Sequence, residues 1–101
     1  MDEVKIWLDD IRPAPLGYTH CYSVNEAIYT IEAEELLGNK IVLLDLDHDL
    51  GDFASDGGDG IKLLDWCEQK EKFYPVRLHT MNPVGRQNMQ TVANRLRRFQ
   101  K

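Results

Sequence analysis

Three short segments of this 101-residue chain gather side chains that can do chemistry. Asp9-Asp10 follows the apolar run Val4–Leu8, Asp47-His48-Asp49 follows Ile41–Leu46, and His79-Thr80-Met81-Asn82 follows Val76–Leu78. Carboxylates brought from separate segments to one place repel unless a cation neutralises them. Oxygen donors of this kind suit Mg²⁺ or Mn²⁺, hard cations that keep several waters and engage phosphate oxygens. Asp9, Asp10, Asp47 and Asp49 are the candidate metal ligands. Asp45 lies two residues before Asp47, on the same strand face and deeper, where it either supports a ligand or pairs with a lysine. Asp52, Asp56 and Asp59 fall in a glycine-rich stretch and read instead as caps of loops and helices.

His48 and His79 are the candidate proton-transfer groups, because only histidine has an unperturbed pKa near neutrality. With Asp47 and Thr80 they make up the catalytic set. His20, in a weak strand, reads as a structural or surface residue. Thr80 and Asn82 stand directly before a helix start, where free N–H groups and the helix dipole favour an anion. Gly85 admits a close backbone approach, and Arg86 has the fork that clamps a phosphate. Arg12 can reach the same anion from the opposite side. These four, Arg12, Asn82, Gly85 and Arg86, are the candidate substrate contacts. The alternative for Asn82 is a plain helix cap, which uses the same geometry.

The elements that position these groups follow from periodicity. Val4–Leu8, Lys40–Asp47 and Pro75–Thr80 are apolar strand patterns, and Tyr18–Tyr22 is a weaker one. Between the first two strands, Pro13 and Pro15 exclude regular structure. Ser23 and Glu26 form a capping box ahead of a helix that ends at Gly38. A loop spans Gly51–Gly60, a helix with Asp59 as its cap spans about Ile61–Lys72, and a last helix starts near Pro83. Met89, Val92, Ala93, Leu96 and Phe99 form its buried stripe. Strand and helix alternate, which predicts a mostly parallel α/β sheet of about four strands in one domain, residues 1–101. Right-handed crossovers are expected to put helices on both faces, with ligands beyond the carboxyl ends of the strands.

Composition bounds the class. Apolar residues are 43% and charged residues 29%, the balance of a folded domain, and nothing approaches the ~20 apolar residues of a membrane helix. Cys21 and Cys67 lack metal or disulfide-framework spacing, so a cytoplasmic protein with reduced thiols is expected. Net charge is −12 over residues 1–71 and +7 over residues 72–101. Charge alone favours interleaving on the folded surface, with Arg95, Arg97, Arg98 and Lys101 as a solvated helix face rather than a nucleic-acid contact. A monomer or weak dimer is expected, the edge strand Tyr18–Tyr22 being the place to pair.

The motifs WLDDIRPAP, LDHDLG and HTMNPVGRQNM hold about 26 positions within residues 7–89. In combination they resemble the cyclic-phosphate processing receiver-like family, itself related to two-component receiver domains. The resemblance implies a flavodoxin-like three-layer fold and action on cyclic phosphates, such as an RNA end or nucleotide bearing a 2′,3′-cyclic phosphate. Asp9 and Asp10 match the metal-holding acid pair of receivers, Asp47 the phosphoacceptor position and Thr80 the receiver hydroxyl. His48, Asp49, His79, Asn82, Gly85 and Arg86 match the motifs particular to the cyclic-phosphate family. No lysine can be assigned to a strand end, and too little chain follows Thr80 for a fifth strand and its helix. Both departures count against phosphorelay signalling. The expected activity is a metal-dependent phosphoesterase; a phosphoacceptor signalling domain and a non-catalytic phosphate or cyclic-nucleotide sensor are the rivals. Phosphorylated small molecules or RNA ends are the expected partners, along with RNA-processing proteins.

Overall fold

Alternation along the strands decides which side of the sheet is wet. In β1 (Glu3–Leu8) Val4, Ile6 and Leu8 are buried, while Glu3, Lys5 and Trp7 are more open. The computed structural model describes residues 1–101, and in it β1 is the second strand of an all-parallel sheet. The order is β2 (Tyr18–Cys21), β1, β3 (Lys40–Leu46), β4 (Val76–Leu78). Register slips once, between Val4 and Lys5, leaving Val42 of β3 without a partner. Beyond that slip Trp7 lies opposite His20 and Asp45, and Asp45 lies opposite Arg77.

Three helices follow the strands: α1 (Val24–Leu36), α2 (Ile61–Gln69) and α3 (Pro83–Arg95), with 3₁₀ turns at Gly51–Ser55 and Leu96–Phe99. The chain thus has the flavodoxin-like receiver fold. All three helices lie on one face, α1 against α2 and α2 against α3, whereas helices on both faces were expected. The crossovers β2–α1–β3 and β3–α2–β4 run the same way along the sheet, so right-handedness puts both helices on the same side. The one connection running the other way, from β1 to β2, is the proline-containing loop Asp9–Gly17, which forms no helix. The core therefore sits on the helix side, where Ile6, Leu8, Leu44 and Leu46 meet Ile31, Leu63, Leu64, Met89 and Leu96. The other side carries Lys5, Trp7, Tyr18, His20, Asp45 and Arg77.

The start and end of α1 follow local capping signals, whereas α2 departs from them at both ends. Ser23 caps α1 by accepting from Glu26 N–H, and Gly38 closes it in a left-handed turn. Asp56 braces the same helix start, accepting from Ser23 Oγ–H at 2.7 Å and Asn25 Nδ2–H at 3.1 Å. Helix α2 stops at Gln69, short of the expected Lys72, because Glu71 takes φ 56°. The Lys72 and Glu71 N–H groups turn back onto the Cys67 and Glu68 carbonyls, a helix-ending pattern usually built on glycine. Asp59 does not cap α2; it accepts the Leu50 N–H at 3.1 Å and ties down the loop after β3. Acids and bases interleave, Arg95 and Arg98 both binding Glu68 of α2 and Lys72 binding Glu35 of α1. No helix is long and apolar enough to cross a membrane.

Candidate functional site

The carboxyl ends of β1, β3 and β4 meet, as parallel strands require, and two groups of side chains form there. The first lies on the helix-free side of the sheet. Asp9 is almost wholly buried, and its Oδ1 accepts the Ile11 and Arg12 N–H groups, both at 2.8 Å. Its Oδ2 faces Arg12 Nε at 3.1 Å and His79 Nε2 at 2.9 Å. Burial works to raise the Asp9 pKa, but these donors and the Arg12 charge outweigh it, so the carboxyl is held below its ordinary value. The Asp9 carbonyl in turn meets His20 Nε2 at 2.7 Å.

His79 is the hub of this group. Its Nδ1 lies 2.8 Å from Asp45 Oδ1, whose other oxygen accepts the Tyr18 hydroxyl at 3.1 Å. Trp7 stacks flat on the His79 ring, centroids 3.8 Å apart and planes 2° apart. Burial, with the bond to Asp45 second, raises the Tyr18 pKa above its ordinary value. Asp45, left open between ligand support and a lysine partner, pairs with His79 and Tyr18.

Asp47 is the link to the other side. Its Oδ1 accepts its neighbour His48 N–H at 2.8 Å, and its Oδ2 faces Arg12 Nη2 at 3.3 Å. Ligand atoms of Asp9, Asp47 and His79 all lie within 4.8 Å of one another. Two carboxylates within that distance repel by at least roughly 3 kcal/mol at an effective dielectric constant of about 20, and the Arg12 cation in contact with both offsets that repulsion. The donor chemistry fits a hard divalent cation, with the guanidinium standing where positive charge is needed. Asp9 and Asp47 would hold it. Asp10 sits next door with no chain donor to its carboxylate, against Gly51, where a Cβ would come within 2.7 Å of Asp10 Oδ2.

The second group is built on His48, Asp49 and Asn82, so Asp49 is separated from Asp9 and Asp47 and grouped instead with His48 and Asp59. His48 Nδ1 lies 2.8 Å from Asp49 Oδ1, and Asn82 Nδ2–H reaches Asp49 Oδ2 at 3.2 Å. The His48 bond, against a smaller burial effect, lowers the Asp49 pKa, and Asn82 adds to it. His48 Nε2 has no hydrogen-bond partner and is not buried, so it is free to face a ligand. Asn82 also caps α3, its Oδ1 accepting the Gly85 N–H at 3.0 Å. The close approach that Gly85 permits is made by His48: a Cβ there would lie 2.6 Å from its Cγ. Arg86 places Nη1–H and Nη2–H on the Leu78 and Thr80 carbonyls, 3.3 and 2.8 Å away, which leaves three N–H donors for an anion. Buried Thr80 accepts the Asn82 N–H on its hydroxyl oxygen.

A family model for the cyclic-phosphate processing Receiver domain matches residues 4–95. The chain belongs to that family. No curated protein and no solved structure matches it. In this receiver domain the groups missed by sequence reasoning are Trp7 and Tyr18, with His20 assigned only a structural or surface role. Period-two reading would have found them, because Trp7, Tyr18, His20 and Asp45 share the sheet face that no helix covers.

Proposed function

We propose that this cyclic-phosphate processing receiver domain is a metal-dependent phosphoesterase that opens a cyclic phosphodiester, with a nucleotide or RNA end bearing a 2′,3′-cyclic phosphate as substrate class. The observation that carries the reading is the arrangement around His48. An imidazole backed by Asp49 and seated on Gly85 carries a free Nε2, and the same residue's backbone N–H is bonded to Asp47 of the Asp9–Asp47 carboxylate pair. Mg²⁺ or Mn²⁺ held by Asp9 and Asp47, with Asp10 adjacent, supplies Lewis-acid polarisation of a phosphoryl oxygen and a more acidic water.

The chain's own groups do the rest. Water attacks phosphorus, one ribose–oxygen bond to phosphorus breaks, and His48 delivers the proton that the departing oxygen takes up. Asp49 keeps the His48 ring in one orientation through the bond to Nδ1. His79 has both ring nitrogens engaged by carboxylates, so it is a positioning residue that holds Asp9 and Asp45. The free N–H donors of Arg86 and the start of α3 take up charge that develops on the phosphoryl oxygens. The product is a nucleoside 2′- or 3′-monophosphate.

The test is incubation with 2′,3′-cyclic nucleotides and a cyclic-phosphate RNA oligomer, with and without Mn²⁺ or Mg²⁺, products being followed by mass. A gain of one water that requires metal and disappears in Asp47→Asn and His48→Ala is the expected result. Folded protein that leaves every substrate intact overturns the reading.

A further inference from the structure

We propose that Arg12 is a built-in stand-in for the divalent cation, and that entry of the cation releases the Arg12 guanidinium to bind the substrate's phosphate. The inference rests on the metal reading of the site and adds a device that couples metal to substrate. One guanidinium spans the two facing oxygens, Nε to Asp9 Oδ2 and Nη2 to Asp47 Oδ2. A divalent cation bonded to those oxygens at about 2.1 Å needs the space that the guanidinium fills. The two cations are therefore alternatives.

Exposure shows which partner moves. The side chains of Asp9 and Asp47 are 1% and 11% exposed, against 44% for Arg12. The carboxylates are fixed, and the cation sits at the surface. Asp9 stays oriented without Arg12, because Ile11 N–H and His79 still hold it, and Asp47 keeps the His48 N–H. With the guanidinium gone, Asp9 Oδ2 retains one partner and Asp47 Oδ2 has none, so both have a lone pair to offer.

The Arg12 backbone, by contrast, is pinned. Its N–H donates to Asp9 Oδ1 at 2.8 Å, its carbonyl accepts the Trp7 Nε1–H at 3.0 Å, and Pro13 restricts its conformation further. The displaced head group swings about a fixed root and remains beside the cation. A planar fork suited to phosphate is then free, at the moment when a cation that engages phosphate oxygens has arrived. Binding of metal and of phosphate must accordingly reinforce each other, each raising the affinity for the other by the same factor.

The experiment is calorimetric titration of Mn²⁺ into the intact protein, Arg12→Gln, Arg12→Lys and Arg77→Gln, with and without inorganic phosphate. Without phosphate, Arg12→Gln binds Mn²⁺ about tenfold more tightly than the unaltered protein, about 1.4 kcal/mol. Arg12→Lys falls between, since one ammonium cannot bridge both carboxylates as a fork does. Arg77→Gln removes an equal charge opposite Asp45 and leaves Mn²⁺ affinity nearly unchanged. Phosphate tightens Mn²⁺ binding in the unaltered protein and has a smaller effect in Arg12→Gln. Thermal melts, with Arg12→Lys as the milder variant, confirm folding before titration. Equal Mn²⁺ affinity in the unaltered protein and Arg12→Gln, or equal tightening in Arg77→Gln, overturns the stand-in role and leaves the metal reading intact. No Mn²⁺ binding by any folded variant removes both.

Discussion

His79→Ala separates a hub from the proposed proton donor His48, because the two histidines of the site are held so differently. His79 lies 2.8 Å from Asp45 Oδ1 and 2.9 Å from Asp9 Oδ2, and both carboxylates are nearly free of solvent contact. Leaving a buried carboxylate short of a hydrogen-bond donor costs roughly 1–3 kcal/mol, and His79→Ala does this to two of them. Loss of the Trp7 stack adds about 1 kcal/mol. Three things soften the cost. Tyr18 still donates to Asp45, Arg12 still faces Asp9, and a site already 13% exposed at His79 admits water. The expected total is about 3–4 kcal/mol, a large share of the roughly 5–15 kcal/mol typical of a domain. It corresponds to a drop of roughly 12–30 °C in Tm. Urea unfolding followed by far-ultraviolet circular dichroism gives the number, with His48→Ala as the comparison. His48 bridges no buried carboxylates, so its loss is expected to cost about 1 kcal/mol. A His79→Ala cost below about 1 kcal/mol, or equal costs for the two variants, would refute the hub.

Gly85→Ala places a methyl against the His48 ring, and is expected to destabilise by about 1–3 kcal/mol while turnover falls much further, read by pairing melts with the cyclic-phosphate assay. Burial, the largest influence on both thiols, pushes Cys21 to about 11 and Cys67 to about 12. Their folded values lie above the unfolded value near 9, so the contribution is intact below about pH 9 and is lost as pH rises through the folded values. Each thiol drains stability by about 1.4 kcal/mol per pH unit in that window, and Cys21→Ala/Cys67→Ala flattens the alkaline limb of a plot of stability against pH. Glu71→Gly relieves a left-handed conformation forced on a residue with a Cβ and is expected to stabilise by about 1 kcal/mol, measured as a higher urea midpoint. An unchanged or lower midpoint would mean that the turn is not strained.

The helices were legible wherever capping chemistry is local. Ser23, Gly38, Asn82 and Pro83 mark ends of α1 and α3, and those ends lie where the residues put them. The end of α2 was not legible, because Glu71 holds a backbone shape that glycine usually signals. The meeting of Asp9, Asp47 and His79 was legible too, since parallel strands must bring their carboxyl ends to one edge. Their partition was not. Asp49 points to His48 and Asn82 rather than to Asp9, and a distinction of that kind depends on loop geometry that no periodicity encodes.

By itself, then, the sequence determined the elements, their parallel pairing and the short list of groups that meet at the strand ends. These depend on hydrophobic period, capping and turn residues, all of which act over a few neighbours. Only the tertiary structure decided which face of the sheet stays free of helices, because that follows from strand order and the hand of the crossovers. It also decided the partners: Arg12 between Asp9 and Asp47, His79 between Asp9 and Asp45, and His48 on Gly85 with one nitrogen free. Charge neutralisation in a buried site is settled by distances of a few ångströms between residues far apart in the chain, and those distances exist only once the chain has folded.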